Sequence, residues 1–565
     1  TNVNRVYGDM NLNYKFNSWL SARYQITADY YNDRRSRIVP PDLDLGTQVR
    51  GFITEETINS MELNSNFILT ANHKINEDLG INVTVGNTIT DIQGENLGAR
   101  GEGFIAPGFY NILNTSNAFI RKSNSLRRIV GVFADARIDY KDYLYLNFTG
   151  RNDWSSTLPA DNRSFFYPSA SVSYIVSNTL LKDNAFFSFM KLRGSVAQVG
   201  KDASPYQIGS YFAPVPGFPF GTIGGFRRDL DIGNFNLLPE LTTESEVGIE
   251  ANFLNNLISL EANYFVRNSK NQIIDVPVSN VTGYSRYTTN AGLIVNKGVE
   301  VLLGFSPLKG KFRWDIDINW TRIRNNVVSM PENLKEITFY NQGRSALRIV
   351  EGGSMGDMYA YDWRRNEKGE VLIGTNGLPA LDQSKYIKLG NALPDWFGGL
   401  NNTLSYKGLT LNVLLEVRQG GDMVDLMEMN AIRNGTALLT GDRNVMTVWN
   451  GVTADGKVNT TPVIVDENTY RAFGINAHHS FNLQDASWFR IRNINLSYSL
   501  PKSLFGKAIS SARVGISASN VFLSTPFRGY DPEALAFGSG SNLVGFTGRN
   551  TPNTRNINFN LNIGF

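Results

Sequence analysis

The sequence predicts an antiparallel β-barrel that spans a membrane, and three observations indicate this all-β fold class. The last ten residues, Asn556–Phe565, alternate strictly between an apolar residue and Asn or Gly. Successive side chains of a strand point to opposite faces, so this segment has one apolar and one polar face. Such alternation recurs along the chain, and short turns alternate with long polar connections. Outer-membrane barrels are built in this way, with apolar residues facing lipid and polar residues facing the lumen.

The composition excludes other classes of protein. The chain has 565 residues and a mean hydropathy of −0.23, and no segment approaches the roughly 20 consecutive apolar residues that a spanning helix needs. Aromatic residues make up 12% of the chain, which suits strands and interfacial girdles. Cysteine is absent, so disulfides and thiolate metal sites are excluded. The net charge is +3 with both signs interspersed, so we expect no nucleic-acid partner.

Alternating segments identify the individual strands. Residues 311–321 and 409–417 each place an apolar side chain at every second position, and residues 247–253 do the same. Between residues 489 and 500 the phase of the alternation slips near Asn493. A β-bulge at that point is the simplest explanation, because a bulge inserts one extra residue into a strand.

Short turns join these strands in pairs. The turn-forming residues are 17–18, 76–79, 141–142, 177–184, 255–256, 307–310, 407–408 and 501–510. These hairpins and the final strand make about 17 strands. The long polar stretches between hairpins are residues 201–242, 329–395, 421–485 and 524–554.

The distribution of turn lengths favours a barrel over other β folds. Short turns on one side and long loops on the other match the periplasmic and extracellular sides of an outer-membrane barrel. A soluble sandwich or propeller gives no reason for this asymmetry. We therefore predict that residues 1–565 form one barrel domain with long extracellular loops.

Strand direction gives an expectation about the start of the barrel. If the final strand ends in the periplasm, it runs from the extracellular side to the periplasmic side. Counting back through the hairpins gives the strand near residues 9–16 the same direction. Thr1 would then lie on the extracellular side. Single-chain bacterial barrels normally have an even number of strands and begin in the periplasm. The odd count therefore predicts that further strands precede this segment.

Motifs for catalysis or cofactor binding are weak in this sequence. The glycine pairs in residues 101–103 and 538–540 are expected in loops rich in Gly, Ser and Asn without a following amphipathic helix, so they do not make a dinucleotide-binding motif. The adjacent His478 and His479 are interpreted as a polar loop feature. Asp422 and Asp425 lie in an exposed loop but lack the ligand spacing of a calcium site, so solvated charge is the favoured interpretation. We expect no enzymatic activity and no cofactor or metal.

One loop segment is a candidate for contact with a ligand or a partner. Residues 358–365 read M-Y-A-Y-D-W-R-R, and the candidate side chains are Tyr359, Tyr361, Trp363, Arg364 and Arg365. Aromatic rings stack on sugars, and arginines bind carboxylates and peptide backbone. The alternative is that these residues pack the loop against the barrel or against a partner protein. Both interpretations stay open.

Several motifs resemble the SusC/RagA family of TonB-dependent outer-membrane transporters from Bacteroidota. The clearest is L-P-D-W-F-G-G-L-N-N-T-L-S-Y-K-G at residues 393–408. Similar motifs lie at residues 151–159, 166–172, 191–200, 296–301, 485–501, 529–533 (G-Y-D-P-E) and 552–565. One departure is Thr551, which precedes Pro552 where the family often has Tyr. The matches follow the family's order along nearly the whole chain.

The resemblance implies a fold and a set of partners. Barrels of this class have roughly 22 strands and a plugged lumen, so the family's plug, its TonB-contacting segment and about five strands would precede this segment. The family imports oligosaccharides or peptides across the outer membrane of Gram-negative bacteria. A SusD-like surface lipoprotein serves as a lid, and the TonB complex supplies energy. Two alternatives remain: a passive porin, and a SusC-like barrel that serves as a structural subunit of a larger envelope complex.

The final aromatic residue generates a testable prediction. We expect Phe565→Ala to lower the amount of folded protein in the outer membrane. The reason is that the barrel-assembly machinery is expected to recognise an outward-facing aromatic residue at the end of the last strand. Quantifying the folded protein in purified outer membranes checks this. Wild-type levels of the variant would contradict the assigned role of Phe565.

Overall fold

The computed structural model describes residues 1–41, 51–182, 184–215, 223–331, 334–342, 345–471, 482–506, 508–537, 541, 543–548 and 551–565. It divides into two compact units. Unit 1 comprises residues 1–178, 193–245 and 268–293, and unit 2 comprises residues 179–192, 246–267 and 294–565. His478, His479, residues 538–540 and part of the stretch 201–242 lie outside the described residues.

The first seven strands pair in sequence order, each antiparallel to the next. They are β1 (Asn2–Lys15), β2 (Leu20–Val39), β3 (Phe52–Lys74), β4 (Leu79–Phe104), β5 (Thr115–Tyr140), β6 (Leu144–Ser155) and β7 (Ser164–Ile175). Short 3₁₀ helices, Ile112–Asn114 and Val176–Asn178, precede β5 and follow β7.

The middle of the chain continues the same pattern with three short strands inserted. The strands are β8 (Phe187–Lys201), β9 (Phe212–Val215), β10 (Gly225–Arg228), β11 (Asp231–Ile232), β12 (Glu240–Phe253), β13 (Ile258–Pro277), β14 (Arg286–Lys309) and β15 (Phe312–Ser329). Strands β9 and β10 pair only with each other among the described residues. Strand β11 runs parallel to β14. A 3₁₀ helix, Asn280–Thr282, lies between β13 and β14.

The rest of the chain alternates long strands with small folded connections. The strands are β16 (Glu336–Gln342), β17 (Ser345–Val350), β18 (Asp357–Trp363), β19 (Leu381–Asn391), β20 (Trp396–Tyr406), β21 (Leu409–Gln419), β22 (Asp422–Asp425), β23 (Val445–Thr447), β24 (Val463–Val465), β25 (Leu483–Asp485), β26 (Trp488–Ser499), β27 (Ser511–Ser524), β28 (Phe546–Thr547) and β29 (Asn556–Gly564).

Helices are short in the described residues. The α-helices are α1 (Leu426–Arg433) and α2 (Glu467–Arg471), and further 3₁₀ helices cover Leu438–Thr440 and Lys502–Leu504. Within the described ranges, none of the helices is long and apolar enough to cross a bilayer.

The predicted strand count and turns are confirmed. The described residues contain one sheet of 18 strands; apart from the short parallel β11, it consists of the 17 long strands of the chain. Each predicted turn lies between two consecutive long strands. At Lys407 and Gly408 both φ angles are positive, as a two-residue hairpin turn requires.

The long connections contain more structure than the sequence predicted. Strands β16, β17, β18 and β19 form a separate antiparallel sheet within residues 329–395. Strand β22 pairs with β25 and β28, and β23 pairs with β24. Apart from β19, which has 11 residues, these strands are short, and register shifts interrupt β16 and the pairing of β18 with β19. The two-residue period that identifies strands in a sequence is therefore too brief to recognise here.

Unit 1 shows where the apolar band of the sheet ends. Val83, Val85 and Ile89 are exposed on one face of β4, and Asp91 follows on the same face, where it pairs with Arg128 of β5. Asp91 is 12 residues beyond the start of β4, which corresponds to a height of about 28 Å for a strand tilted by about 45°. That height matches the hydrocarbon core of a bilayer. Strand β4, with 26 residues, is therefore longer than the membrane crossing requires.

The neighbouring strands of unit 2 separate apolar from polar side chains. The register aligns Ile318 of β15, Leu400 of β20 and Leu415 of β21 in one apolar row. On the opposite face, the Asn412 side chain donates hydrogen bonds to Asn401 (2.7 Å) and Thr403 (2.9 Å). The predicted division into a lipid face and a polar face is present in these strands.

The predicted bulge is also confirmed. Leu414 of β21 pairs with Asn493, whereas Leu415 pairs with Ile491, so Arg492 is an extra residue of β26. The bulge shifts the alternation by one residue, which explains the phase slip that the sequence shows near Asn493.

The two faces generate a prediction about stability. We expect Ile318→Arg to lower the free energy of unfolding by about 2–4 kcal/mol, because it places a charge in the bilayer core. The matched control Asp317→Arg changes the adjacent residue on the polar face and should cost far less. Unfolding in lipid vesicles measures both. Equal losses for the two variants would contradict the assignment of faces.

Candidate functional site

A small hydrophobic core holds three connections of unit 2 together. We call the described residues within 330–395, 420–487 and 525–555 the outer subdomain, because these connections lie between strand ends opposite the short turns. The buried side chains of this core are Leu347, Met358, Ala392, Val424 and Phe546. Burial of a Leu, Met, Val or Phe side chain contributes about 1.5–3 kcal/mol. The outer subdomain is therefore a packed structure that can hold functional side chains in fixed positions.

Tyr359 and Tyr361 of β18 belong to an aromatic cluster on the β16–β19 sheet. The guanidinium carbon of Arg348 lies 4.2 Å from the ring centre of Tyr386 and 5.9 Å from that of Tyr359. The rings of Tyr361 and Tyr386 are 4.3 Å apart. Arg348 also pairs with Glu336 at 3.1 Å. These contacts pack the tyrosines within the β16–β19 sheet, while contact of these rings with the barrel, a partner or a ligand stays a prediction.

Burial affects the ionisation of two phenols of the cluster, those of Tyr359 and Tyr386. Burial raises the pKa of Tyr359. Burial also raises the pKa of Tyr386, and the neighbouring Tyr361 adds to this effect. A protonated phenol donates and accepts hydrogen bonds, so the cluster can present both ring faces and hydroxyl groups.

The other three candidates of this segment lie elsewhere. Trp363 lines a cavity of about 500 Å³. Arg364 and Arg365 are exposed, and the Arg365 side chain donates to the Gly369 carbonyl at 3.0 Å and lies 3.6 Å from the Asp362 carboxylate. The structure therefore divides the five residues between the tyrosine cluster, the cavity and an exposed hairpin.

Asp422 and Asp425 have structural partners. One Asp425 oxygen accepts hydrogen bonds from the Met427 backbone (2.9 Å) and the Thr547 hydroxyl (2.8 Å), so Asp425 caps α1 and fastens β28. Asp422 accepts a hydrogen bond from the Asn391 backbone at 2.8 Å. Burial raises the pKa of Asp422, and the negative charge of Asp485 adds to the shift. Among the described residues, no group of acidic or histidine side chains is arranged to hold a metal ion.

A buried ion cluster joins the outer subdomain to the long strands, and the sequence did not reveal it. Arg490 of β26 is only 2% exposed and pairs with Asp531 at 2.6 Å and with Glu533 at 3.2 Å. Arg492, the bulge residue, binds both oxygens of Glu533 at 2.7 and 2.9 Å and reaches Glu416 of β21 at 2.5 Å.

The ion cluster explains the structural use of the G-Y-D-P-E motif. Asp531 also accepts hydrogen bonds from the Asn553 side chain (2.8 Å) and the Glu533 backbone (2.9 Å). Both carboxylates of the motif are thus bound to β26. The sequence did contain a signal for this ion cluster. It consisted of arginines on the polar face of a strand beside the phase slip, together with the acidic motif. Their pairing is not readable from the chain because about 40 residues separate the partners.

Comparison with known proteins establishes the family. Residues 1–521 match the family model described as "TonB dependent receptor-like, beta-barrel". The chain belongs to this family of TonB-dependent receptors. The family is located in the outer membrane, so the predicted location and transmembrane barrel are confirmed.

Curated relatives come from the bacterium Formosa agariphila. TonB-dependent receptor P26 is 24% identical over 604 aligned residues, which cover 100% of this chain and 59% of the relative. TonB-dependent receptor P3 is 23% identical and aligns with 98% of this chain and 57% of its own length. The chain thus spans somewhat more than half the length of these TonB-dependent receptors.

Solved structures share the fold. A chain in the structure of the RagAB peptide transporter superposes with a TM-score of 0.80 at 19% identity, covering 99% of this chain and 62% of that chain. The RagAB peptide importer in its "closed-closed" state gives a TM-score of 0.80 at 20% identity, with 100% and 62% coverage. This TonB-dependent receptor therefore has the same strand architecture as those chains.

The ion cluster generates a prediction about the anchoring of residues 529–533. Arg490→Met leaves the buried Asp531 carboxylate without its main partner. Breaking a buried ion pair in this way lowers stability by about 3–5 kcal/mol. We expect faster hydrogen exchange at the backbone amides of residues 529–534 in the full-length receptor. Lys457→Ala is the control, because the Lys457–Asp455 pair is exposed (82% and 56%) and such pairs contribute at most about 1 kcal/mol. Unchanged exchange in Arg490→Met would contradict the anchoring role.

Proposed function

We propose that the full-length protein is an active importer that takes large nutrients, oligosaccharides or peptides, across the outer membrane through this barrel. The observation that carries the proposal is the combination of a TonB-dependent receptor barrel with a packed outer subdomain at the ends of its strands. The polar side-chain rows, such as Asn401, Thr403 and Asn412, suit a water-filled lumen.

The proposal includes two protein partners. The first is a SusD-like surface lipoprotein that covers the extracellular opening, and the second is the TonB complex, which acts through parts of the protein outside this chain. Support comes from the motifs shared with the SusC/RagA family and from the fold shared with the RagAB peptide importer, which has both a "closed-closed" and an "open-open" state. Outer-membrane lipid surrounds the apolar face of the strands.

Active import differs measurably from the alternatives of a passive porin and a structural subunit. We expect uptake of fluorescent oligopeptides or oligosaccharides by cells that express the full-length protein, and loss of that uptake when TonB is deleted. Uptake that persists without TonB would contradict the proposal and favour a porin. We also expect the native protein to purify with one surface lipoprotein. Purification with a set of unrelated envelope proteins, without TonB-dependent uptake of either class of nutrient, would instead favour a structural role.

A further inference from the structure

We propose that the cavity beside Trp363 is a recognition pocket that binds an aromatic or branched aliphatic side chain of a peptide. The pocket lies within unit 2, in the outer subdomain. The inference rests on the proposed import function in one respect, because it assigns the pocket to the capture of cargo before transport.

Separate segments of the chain form the walls of this pocket. Trp363 comes from the end of β18, Trp449 follows β23, and Tyr470 belongs to α2. Residues 445–449 alternate as a strand does: Val445, Thr447 and Trp449 line the cavity. The intervening Met446 and Val448 are exposed and lie outside the lining. This arrangement directs two indole rings and a phenol towards one space.

Hydrogen bonds join the segments that carry the lining residues. The Asn459 side chain donates to the Trp449 carbonyl at 2.9 Å. The Val452 amide donates to the Val371 carbonyl (2.9 Å), and the Ile373 amide donates to the Val452 carbonyl (2.8 Å). The segments that carry the lining are thus fastened to each other. A preformed pocket binds more tightly, because less conformational freedom is lost on binding.

The size of the cavity suits a ligand group. Its volume is about 500 Å³, within the roughly 300–1,000 Å³ that is usual for ligand pockets. Most of its lining is aliphatic or aromatic and includes Val371, Pro379, Ile432, Val445 and Val465. Apolar lining favours an apolar side chain, since its burial removes hydrocarbon surface from water.

The polar residues of the lining are Asp442, Thr447, Asn450, Thr469 and Tyr470, and the last two already use their hydroxyl groups within the protein. The Tyr470 hydroxyl donates to the Asp442 carbonyl at 2.7 Å. The Thr469 hydroxyl donates to the Asp466 carboxylate at 3.1 Å. Both hydroxyl protons are therefore already committed to the protein. A sugar ring carries many hydroxyl groups that must each find a partner when buried, and burying them without partners costs free energy.

The test uses the full-length receptor in lipid nanodiscs and isothermal titration calorimetry. The probe is the capped peptide acetyl-Ala-Ala-Phe-Ala-Ala-amide, with the all-alanine peptide as a ligand control and maltopentaose as the sugar. We expect the phenylalanine peptide to bind at least about tenfold more tightly than the all-alanine peptide, from burial of one aromatic side chain. Binding of maltopentaose in its place, or equal binding of both peptides, would overturn the proposal.

Matched variants locate the binding site. Val445→Trp fills the cavity, whereas Val448→Trp places the same side chain on the opposite face of the same segment, at a residue of nearly equal exposure (47% and 49%). We expect Val445→Trp to lose about tenfold or more in affinity and Val448→Trp to bind as the wild type does. Thermal unfolding of each variant verifies folding. Equal effects of the two substitutions would overturn the assignment of the pocket.

Binding and transport are measured separately, so the two proposals can fail independently. Peptide binding that Val445→Trp abolishes, without TonB-dependent uptake in cells, would overturn import and leave the pocket standing. TonB-dependent uptake together with wild-type binding by Val445→Trp would overturn the pocket and leave import standing.

Discussion

The structure depends on one constraint: inside a bilayer, every backbone amide and carbonyl must find its hydrogen-bond partner within the protein. Antiparallel strand pairing meets this constraint, and the long strands of the chain pair with their neighbours accordingly. The same constraint fixes the direction in which each side chain points, because a paired strand presents alternate residues to lipid and to the lumen. The apolar row through Ile318, Leu400 and Leu415 and the polar row around Asn412 are two consequences of a single register.

Beyond the membrane the constraint changes, and the chain uses different interactions. Water can satisfy exposed backbone groups there, so short strands, helices and turns become possible. The outer subdomain forms its own core around Leu347, Met358 and Phe546. Its attachment to the long strands includes the buried pair of Arg490 with Asp531. A buried charge pair is costly to break, so this contact holds residues 529–533 in one position at the end of β26.

The candidate site was only partly predictable. The concentration of aromatic residues at 358–365 identified a segment of interest, of which Met358 belongs to the core of the outer subdomain, whereas Arg364 and Arg365 are exposed. Register shifts after Met358 and Ala360 then determine where each ring lies. Tyr359 joins Arg348 and Tyr386, whereas Trp363 lines the cavity with Trp449 and Tyr470. Bulges of this kind depend on the partner strand, and the partner strand is not visible in a local sequence pattern.

The sequence by itself determined the long strands, their order, the turns between them, the division into two faces and the bulge near Asn493. These features are local, because alternation and turn residues act over a few positions of the chain. The tertiary structure alone decided that Arg492 bridges Glu416 and Glu533, that Asp425 binds the Thr547 hydroxyl, and that three distant segments enclose one cavity. These contacts join residues tens of positions apart, and only the packing of the folded connections brings such residues together.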